Sequence, residues 1–330
     1  MLKTLIALLI SCPEIIMGIM FDADRVAERI KKLKARRIFL QVPEGLKTRV
    51  LEMAEELEKH DLEVLISVEP CYGACDLRDR EARMLGCDLI LHLGHTDYGV
   101  NSSLPVIYEE FGMEYDPVPL LKNFLEELKS YRKISLVTTA QFLPSLEHAR
   151  KFLKHTGKEV FIGSSRRGKP GQVLGCDFSA AKDLENVVDC FIFMGSGTFH
   201  PLGLAMEVSK PVLFLDFEGS QLLDMEDESR RMESTRILQL ERAKSCRNFG
   251  ILVSTKPGQL RTKTAERVKA RLSGLGKSAW ILVADEITPQ KLLGLQIDCL
   301  VSTACPRLRE DARTFKKPII DASDVEKLSE

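Results

Sequence analysis

Short apolar runs alternate with amphipathic segments along most of the chain. The runs at 37–42, 133–138 and 249–254 are almost continuously apolar, which is typical of strands buried on both faces of a sheet. The segments 143–156 and 262–272 instead repeat apolar residues every three or four positions, which predicts amphipathic helices. Alternating strands and helices indicate an α/β fold whose parallel sheets carry helices on both faces, joined by right-handed crossovers.

The same order of elements occurs three times. The predicted strands are 37–42, 63–68, 88–93 and 105–108, then 133–138, 159–162, 189–194 and 211–216, then 249–254, 279–283, 298–302 and 317–321. The main predicted helices are 22–36, 46–60, 77–85, 120–131, 143–156, 218–244 and 262–272. We therefore predict three similar parallel-sheet α/β domains from an internal triplication, arranged around a central site. Their predicted bounds are 20–116, 117–217 and 218–330.

Composition and charge narrow the class of protein. The 330 residues are 44% hydrophobic and 29% charged, as in globular domains that bury their own cores. The formal net charge of −1 gives no electrostatic reason to expect nucleic acid or an anionic membrane as a partner. Nine cysteines are too few for a disulfide scaffold in a chain of this length. Their odd number leaves at least one thiol unpaired, which favours a reducing compartment.

The first nineteen residues stand apart from this pattern. They combine a basic start, an apolar run and the ending Leu9-Ile10-Ser11-Cys12, which together resemble a lipoprotein signal. The apolar run is too short to span a membrane, and the first repeat begins only after Met20. We therefore interpret residues 1–19 as a tail or a mis-assigned start, and we predict a cytoplasmic protein with no membrane partner.

Three cysteines lie in turns that follow predicted strands, one in each repeat. They are Cys75, Cys176 and Cys305, and each has a glycine or proline within two residues. Loops at the carboxyl ends of parallel strands gather at one edge of a sheet, so three such loops can meet around one point. Three thiolates at that point leave one iron open on a cubane iron–sulfur cluster. An open metal position can bind a substrate.

A second interpretation of these cysteines stays open. A cysteine is more often a small buried hydrophobe than a metal ligand, which suits Cys87, Cys190 and Cys299 at the starts of apolar strands. Spacing alone does not decide between the two roles for the loop cysteines. Cys71 competes with Cys75 as a ligand, but no Cys-x2-Cys follows them, so the usual local motif of radical iron–sulfur enzymes is absent. A zinc site would need a paired or fourth protein ligand.

Other polar and glycine residues occupy the ends of predicted strands. Glycine lets a ligand approach the backbone closely, and the start of a following helix can hold a carboxylate. The candidate substrate contacts are Glu44, Gly45, His95, Gln141, Gly195, Gly197, His200, Gly258 and Gln259. The string Gly195-Ser196-Gly197 lacks a third glycine, so no dinucleotide-binding fingerprint is predicted.

Five motifs resemble one known family. The cysteine motifs are Tyr-Gly-Ala-Cys-Asp at 72–76, Leu-Gly-Cys-Asp at 174–177 and Thr-Ala-Cys-Pro-Arg at 303–307, and the strand-end motifs are 41–46 and 250–255. Together they resemble the archaeal diphthamide biosynthesis enzymes, the 2-(3-amino-3-carboxypropyl)histidine synthases, from Met20 to the C-terminus. The resemblance implies a homodimer of three-domain subunits, each holding a central [4Fe-4S] cluster through Cys75, Cys176 and Cys305.

The resemblance also implies a reaction. S-adenosylmethionine (SAM) binds at the open iron, and the nine strand-end residues become candidate SAM contacts. One electron from the reduced cluster cleaves the bond between the sulfur and the methionine Cγ. The resulting 3-amino-3-carboxypropyl radical adds to an imidazole carbon of a histidine on translation elongation factor 2, the first step of diphthamide formation. The identity of the electron donor stays open.

Two alternatives differ from this reaction in chemistry. One is a quinolinate synthase-like [4Fe-4S] dehydratase, which also joins three α/β units around three cysteines but dehydrates and condenses small acids. The other is a non-catalytic iron–sulfur protein that passes electrons to a catalytic partner. Release of methylthioadenosine from SAM separates the first alternative, and activity of the purified chain alone separates the second.

Overall fold

Three sheets form the framework of the protein. The computed structural model describes residues 21–329, so the predicted tail at 1–19 lies outside the described residues. The strands of the first sheet are β1 (Arg37–Gln41), β2 (Glu63–Ile66), β3 (Leu89–Leu93) and β4 (Val106–Glu109). Their order is β2-β1-β3-β4, and every pair is parallel.

The other two sheets follow the same order. The second contains β5 (Lys133–Thr138), β6 (Glu159–Phe161), β7 (Cys190–Gly195), β8 (Val212–Asp216) and β9 (Gln221–Asp224), in the order β6-β5-β7-β8-β9. The third contains β10 (Asn248–Ser254), β11 (Ser278–Ala284), β12 (Cys299–Ser302) and β13 (Ile319–Asp321), in the order β11-β10-β12-β13. Among the strands of residues 21–329, only β9 runs antiparallel to its neighbour. The predicted α/β class with parallel-dominated sheets is therefore confirmed.

Helices connect the strands and cover the sheets. They are α1 (Ala23–Lys32), α2 (Val50–Glu58), α3 (Asp79–Met84), α4 (Val118–Asn123), α5 (Leu143–His155), α6 (Ser179–Lys182), α7 (Phe199–Ala205), α8 (Glu226–Lys244), α9 (Thr262–Gly274) and α10 (Ala312–Phe315). Helix α1 shows how local sequence sets their ends and faces. The Asp22 carboxylate accepts a hydrogen bond from the Arg25 backbone N–H at 2.9 Å and so caps the helix start. Val26 and Ile30 then point into the core of the first sheet.

Two predicted helices were wrong in part. The helix predicted for 218–244 begins only at Glu226, because the chain first reverses and forms β9. Ser220 adopts a left-handed φ of 50° in that reversal, and the Asp216 carboxylate accepts the Glu218 backbone N–H at 3.1 Å. Leu222 of β9 then packs against the core of the second sheet. The helix predicted for 120–131 is α-helical only in 118–123 and continues as successive turns.

An aspartate ties the third strand of each repeat to the first strand. Asp88, Asp189 and Asp298 directly precede β3, β7 and β12. In each case one carboxylate oxygen accepts two successive backbone N–H groups at the start of β1, β5 or β10, at 2.7–3.2 Å. These hydrogen bonds hold the pKa of each carboxyl group below its usual value. The three sheets thus share a side-chain contact as well as a strand order.

The described residues form two compact units that divide between Asp227 and Glu228. The first unit holds the first two sheets, and the second unit holds the third sheet. Each sheet has its own buried apolar core. Within residues 21–329, no helix combines the length and the apolar character needed to cross a membrane. The division into three domains stays a prediction.

Candidate metal centre

The predicted site residues lie at the carboxyl edges of the sheets. In each sheet the two central strands send their connections toward opposite sides, and such switch points form ligand-binding crevices beyond the strand ends. The nine candidate contacts all end or follow central strands: Glu44 and Gly45 follow β1, His95 follows β3, Gln141 follows β5, Gly195, Gly197 and His200 lie at or after the end of β7, and Gly258 and Gln259 follow β10. Their predicted placement at strand ends is therefore found in the structure.

Glu44, Gln141 and His200 illustrate the contacts that these candidates make. The Glu44 carboxylate pairs with the Lys47 ammonium at 2.6 Å. The Gln141 backbone carbonyl accepts the Met113 backbone N–H at 2.7 Å. The His200 ring lies parallel to a ring of β7, that of Phe193, with centroids 6.2 Å apart. These contacts lie at the carboxyl edges of the first two sheets.

Cys75 is the third residue of a hydrogen-bonded turn. The Asp76 N–H donates to the Gly73 carbonyl at 3.0 Å. Gln41, buried at the end of β1, secures this turn with both ends of its amide. Its Nε2 donates to the Asp76 carbonyl at 2.5 Å, and its Oε1 accepts the Arg78 N–H at 3.3 Å. The loop backbone is thus held firmly, while the Cys75 side chain stays partly exposed.

Cys176 occupies the same place in a similar turn. Leu174 and Asp177 exchange two backbone hydrogen bonds, at 2.9 and 3.3 Å, so Gly175 and Cys176 form the tip. A Cβ atom at Gly175 would meet the Phe199 ring at 3.1 Å, which favours glycine at this close approach. The Cys176 side chain is exposed. Both turns therefore present a cysteine, followed by an aspartate, beyond the second strand of their repeat.

Cys305 differs from the other two in its place in the sheet. It follows β12, the third strand of its repeat, whereas Cys75 and Cys176 follow the second strands β2 and β6. Cys305 begins its turn, and its carbonyl accepts the Leu308 N–H at 3.1 Å. All three cysteines lie beyond carboxyl ends of strands, as predicted, but the third is not an exact repeat of the first two.

The cysteines at the amino edge have a different environment. Cys190 and Cys299 begin β7 and β12, Cys87 lies just before β3, and all three are buried. Burial raises the pKa of the Cys87 thiol and raises the pKa of Cys190 to about 12. Such thiols remain protonated at neutral pH and are poor metal ligands. Their burial agrees with the predicted role as small core residues.

Cys71 belongs to a buried polar cluster with two histidines. Its Sγ lies 3.7 Å from His92 Nε2 and 4.0 Å from His95 Nδ1, and these two nitrogens lie 2.9 Å apart. Burial lowers the pKa of both imidazoles, to about 4 for His95, so both rings are neutral at neutral pH. Sequence reasoning placed His95 at a strand end but did not connect it with Cys71.

These three side chains could hold a metal ion by type, but two observations argue against zinc. The imidazole nitrogens are closer together than the separation of about 3.3 Å between two nitrogen ligands of a tetrahedral zinc. His92 Nδ1 also has no hydrogen-bond partner among the described residues, whereas a ligating histidine is usually oriented through that atom. Cys71 thus has histidine neighbours within this group, whereas Cys75 lies in the partly exposed turn and stays the predicted ligand.

The segment after β3 connects the two cysteine loops of the first unit. Tyr98 Oη lies 3.0 Å from Cys176 Sγ, and Thr96 Oγ1 accepts a hydrogen bond from Gln172 Nε2 at 2.6 Å. Burial raises the pKa of Tyr98, the hydrogen bond with Cys176 adds to this, and Cys75 contributes a smaller charge effect. Of the predicted ligands, Cys176 is the one whose contact with this phenol is observed. Sequence reasoning missed Tyr98, because its role depends on a contact between repeats.

Comparison with known proteins identifies the family. The sequence model of the family described as "Putative diphthamide synthesis protein" matches residues 42–329. The chain is 38% identical over 307 residues to a 2-(3-amino-3-carboxypropyl)histidine synthase of Pyrococcus horikoshii, covering 92% of this chain and 88% of the relative. It is 29% identical over 309 residues to 2-(3-amino-3-carboxypropyl)histidine synthase subunit 1 of Homo sapiens, covering 91% of this chain and 69% of the relative.

A solved structure supports the same family assignment. The crystal structure of Dph2 from Pyrococcus horikoshii with a 4Fe-4S cluster matches with a TM-score of 0.87 at 36% sequence identity. The match covers 94% of this chain and 91% of that chain. The family predicted from the cysteine and strand-end motifs is confirmed. The chain belongs to the family of diphthamide synthesis proteins.

Proposed function

We propose that this protein is a 2-(3-amino-3-carboxypropyl)histidine synthase, a transferase of the first step of diphthamide formation. It moves the 3-amino-3-carboxypropyl group of SAM to a histidine of translation elongation factor 2. The match of nearly the whole chain to relatives of that name carries the proposal. The match to a structure that contains a 4Fe-4S cluster supports the same chemistry.

Cys75, Cys176 and Cys305 hold a [4Fe-4S] cluster in this proposal. The residues fit such a group: each thiol is at least partly exposed beyond a strand end, whereas Cys87, Cys190 and Cys299 at the amino edge are buried. When bound, the cluster supplies one electron to the bond between the SAM sulfur and Cγ, and three protein ligands leave one iron for SAM. The protein itself selects this bond by positioning SAM, and it needs no nucleophile of its own.

The strand-end residues supply the SAM contacts. The glycines at 45, 195, 197 and 258 let the substrate approach the backbone. Glu44, Gln141 and Gln259 offer hydrogen-bonding groups for its amino, carboxylate and ribose parts. His95 and His200 offer imidazole rings at the same edges. All lie beyond central strands, where parallel sheets of this order bind ligands.

The cluster lies at the centre of three domains, at 20–116, 117–217 and 218–330, that arose by internal triplication. The shared strand order and the shared aspartate contacts support the triplication. The chain forms a homodimer in this proposal. Trp280 and Val283 support it, because they expose apolar surface along β11, which is an edge strand of its sheet.

The partners follow from the reaction. They are elongation factor 2 as protein substrate and an electron donor of open identity, with no nucleic acid and no membrane. We place the protein in the cytoplasm, because unpaired thiols and a reducible cluster suit a reducing compartment. No observation on this chain favours the quinolinate synthase-like dehydratase or the electron-transfer partner.

Product analysis tests the function. Anaerobically purified protein, reduced chemically and supplied with SAM and elongation factor 2, should release methylthioadenosine. The factor should gain the mass of one aminocarboxypropyl group on a single histidine. Cys176→Ser is the matched control and should yield neither product. Release of 5′-deoxyadenosine would show that the other C–S bond is cleaved and would contradict the mechanism. Inactivity of the cluster-loaded chain alone would favour the electron-transfer role.

A further inference from the structure

Tyr98 is placed against a predicted cluster ligand by the fold. Its hydroxyl lies 3.0 Å from Cys176 Sγ, although 78 residues separate the two in the chain. The Arg167 guanidinium carbon lies 4.1 Å from the centroid of the Tyr98 ring, close enough for a cation–π contact. The Tyr98 hydroxyl thus contacts the Cys176 sulfur, while the Tyr98 ring contacts the Arg167 guanidinium.

The segment that carries Tyr98 is fixed by further contacts. Thr96 Oγ1 accepts a hydrogen bond from Nε2 of Gln172, which is fully buried. The Oε1 atom of Gln172 accepts the Lys169 N–H at 2.8 Å. The Gly99 N–H donates to the Asp97 carboxylate at 2.8 Å and closes a turn around Tyr98. Hydrogen bonds in both loops therefore fix the approach of Tyr98 to Cys176.

The direction of the Tyr98 hydrogen bond follows from the chemistry of its partner. A cysteine that ligates iron is a thiolate and has no proton to donate. A phenol with an ordinary pKa of about 10 keeps its proton at neutral pH and is the donor of the pair. Hydrogen bonds to the sulfur atoms of a cluster are one of the levers that set its reduction potential. A donor stabilises the reduced state more, because that state carries the larger negative charge.

We propose that Tyr98 is a positioning residue that orients the Cys176 thiolate and raises the reduction potential of the cluster bound there. This inference rests on the cluster ligation in the proposed function and adds to it the residue that adjusts the electron transfer. Arg167 supports the effect by holding the ring and by placing positive charge nearby. The contact joins the first repeat to the cysteine of the second, so the potential depends on how those two repeats pack.

Redox titration of the cluster-loaded protein tests the proposal. Tyr98→Phe keeps the ring and its contact with Arg167 but removes the donor. We expect it to bind iron like the wild type and to shift the one-electron equilibrium toward the oxidised cluster by about fivefold, which is about 40 mV. Tyr108→Phe is the matched control, since that half-buried tyrosine of the same unit has no hydrogen-bond partner for its hydroxyl among the described residues. It should leave the potential unchanged.

A second variant reverses the sign of the effect. Substitution of Tyr98 by 3-fluorotyrosine keeps the shape and makes the phenol a stronger donor, so the midpoint potential should rise above that of the wild type. Equal potentials for the wild type, Tyr98→Phe and the fluorinated protein would overturn the proposal. If Tyr98→Phe does not bind the cluster, the fluorinated protein still tests the proposal. A midpoint potential above that of the wild type supports the proposal, and one equal to or below it contradicts the proposal. A wild-type protein without a cluster would contradict the proposed function instead.

Discussion

The carboxyl and amino edges of the three sheets contain cysteines of opposite character. Cys190 and Cys299 at the amino edge begin buried strands, and burial raises the pKa of Cys190 to about 12. Cys176 and Cys305 at the carboxyl edge lie in turns and are exposed or partly exposed. Cysteine is therefore a buried core residue at the amino ends of these strands and a candidate iron ligand beyond their carboxyl ends.

This difference shows that the position of a cysteine in a loop, rather than the residue type, makes its thiol accessible to a metal. A strand residue must pack its side chain between neighbouring strands and a helix, so the sulfur loses contact with solvent. A turn beyond the strand end exposes the side chain while its backbone groups are hydrogen-bonded, as they are by the Gly73 carbonyl and the Gln41 amide in the Cys75 turn. Each of the following experiments tests this contrast between the two edges.

Replacement of a carboxyl-edge cysteine should have the largest effect. Cys75→Ser, Cys176→Ser and Cys305→Ser should each remove the brown chromophore of the anaerobic protein, because a hydroxyl is a poor replacement for thiolate on iron. SAM cleavage should fall by at least about 100-fold. Iron analysis and visible absorption measure the loss, and Cys190→Ser should keep the cluster. A fully loaded cluster in Cys176→Ser would make the ligand assignment wrong.

Replacement of an amino-edge cysteine should cost stability instead of chemistry. Cys190→Ser places a hydroxyl in an apolar strand core and should lower the free energy of unfolding by about 1–3 kcal/mol. Urea denaturation of cluster-free protein measures this loss. Cys176→Ser, measured in the same cluster-free state, should change stability by less than about 0.5 kcal/mol, because its side chain is exposed. Equal losses of unfolding free energy in Cys190→Ser and Cys176→Ser would contradict the proposed difference between the two edges.

Cys71 sharpens the comparison, because it is buried and yet lies at the carboxyl edge. Cys71→Ala should keep the cluster and should lower the free energy of unfolding by about 1 kcal/mol, since the thiol contacts His92 and His95. Iron content and urea denaturation measure the two effects. Loss of the cluster in Cys71→Ala, with retention in Cys75→Ala, would reverse the choice of ligand.

The aspartate contacts of the amino edge should give the smallest effect, visible as a pH dependence. The pKa of Asp189 is lowered by backbone hydrogen bonds, so its folded pKa lies below the unfolded value of about 3.9. Its stabilising contribution is therefore present above that value and is lost as the pH falls through the folded pKa. Asp189→Asn should weaken the loss of stability between neutral and acidic pH, as measured by urea midpoints.

Glu126→Gln is the control for the aspartate variant. The exposed Glu126 carboxylate pairs with Lys129 rather than with backbone N–H groups, so this substitution should leave the acid dependence nearly unchanged. An identical pH dependence for wild type and Asp189→Asn would show that the backbone hydrogen bonds at the strand starts do not contribute.

Much of the fold was predictable from local pattern. In the described part of the chain, apolar runs identified every strand except β9, because a strand buried on both faces requires apolar residues throughout. The reversal at Gly219 and Ser220 carried a turn signal that the helical pattern of the following residues concealed. The nine candidate contacts and the three loop cysteines lie at strand ends, because parallel strands direct their following loops to one edge.

The sequence by itself determined the family, the strand order that recurs along the chain and the cysteines that lie beyond strand ends, because motifs, periodicity and turn residues act over short stretches of chain. Only the tertiary structure decided that Cys71 contacts His92 and that Tyr98 reaches Cys176. Such contacts depend on strand register and on the paths of loops that are distant in sequence. No local pattern encodes them, since each partner residue would be equally acceptable as an ordinary surface or core residue by itself.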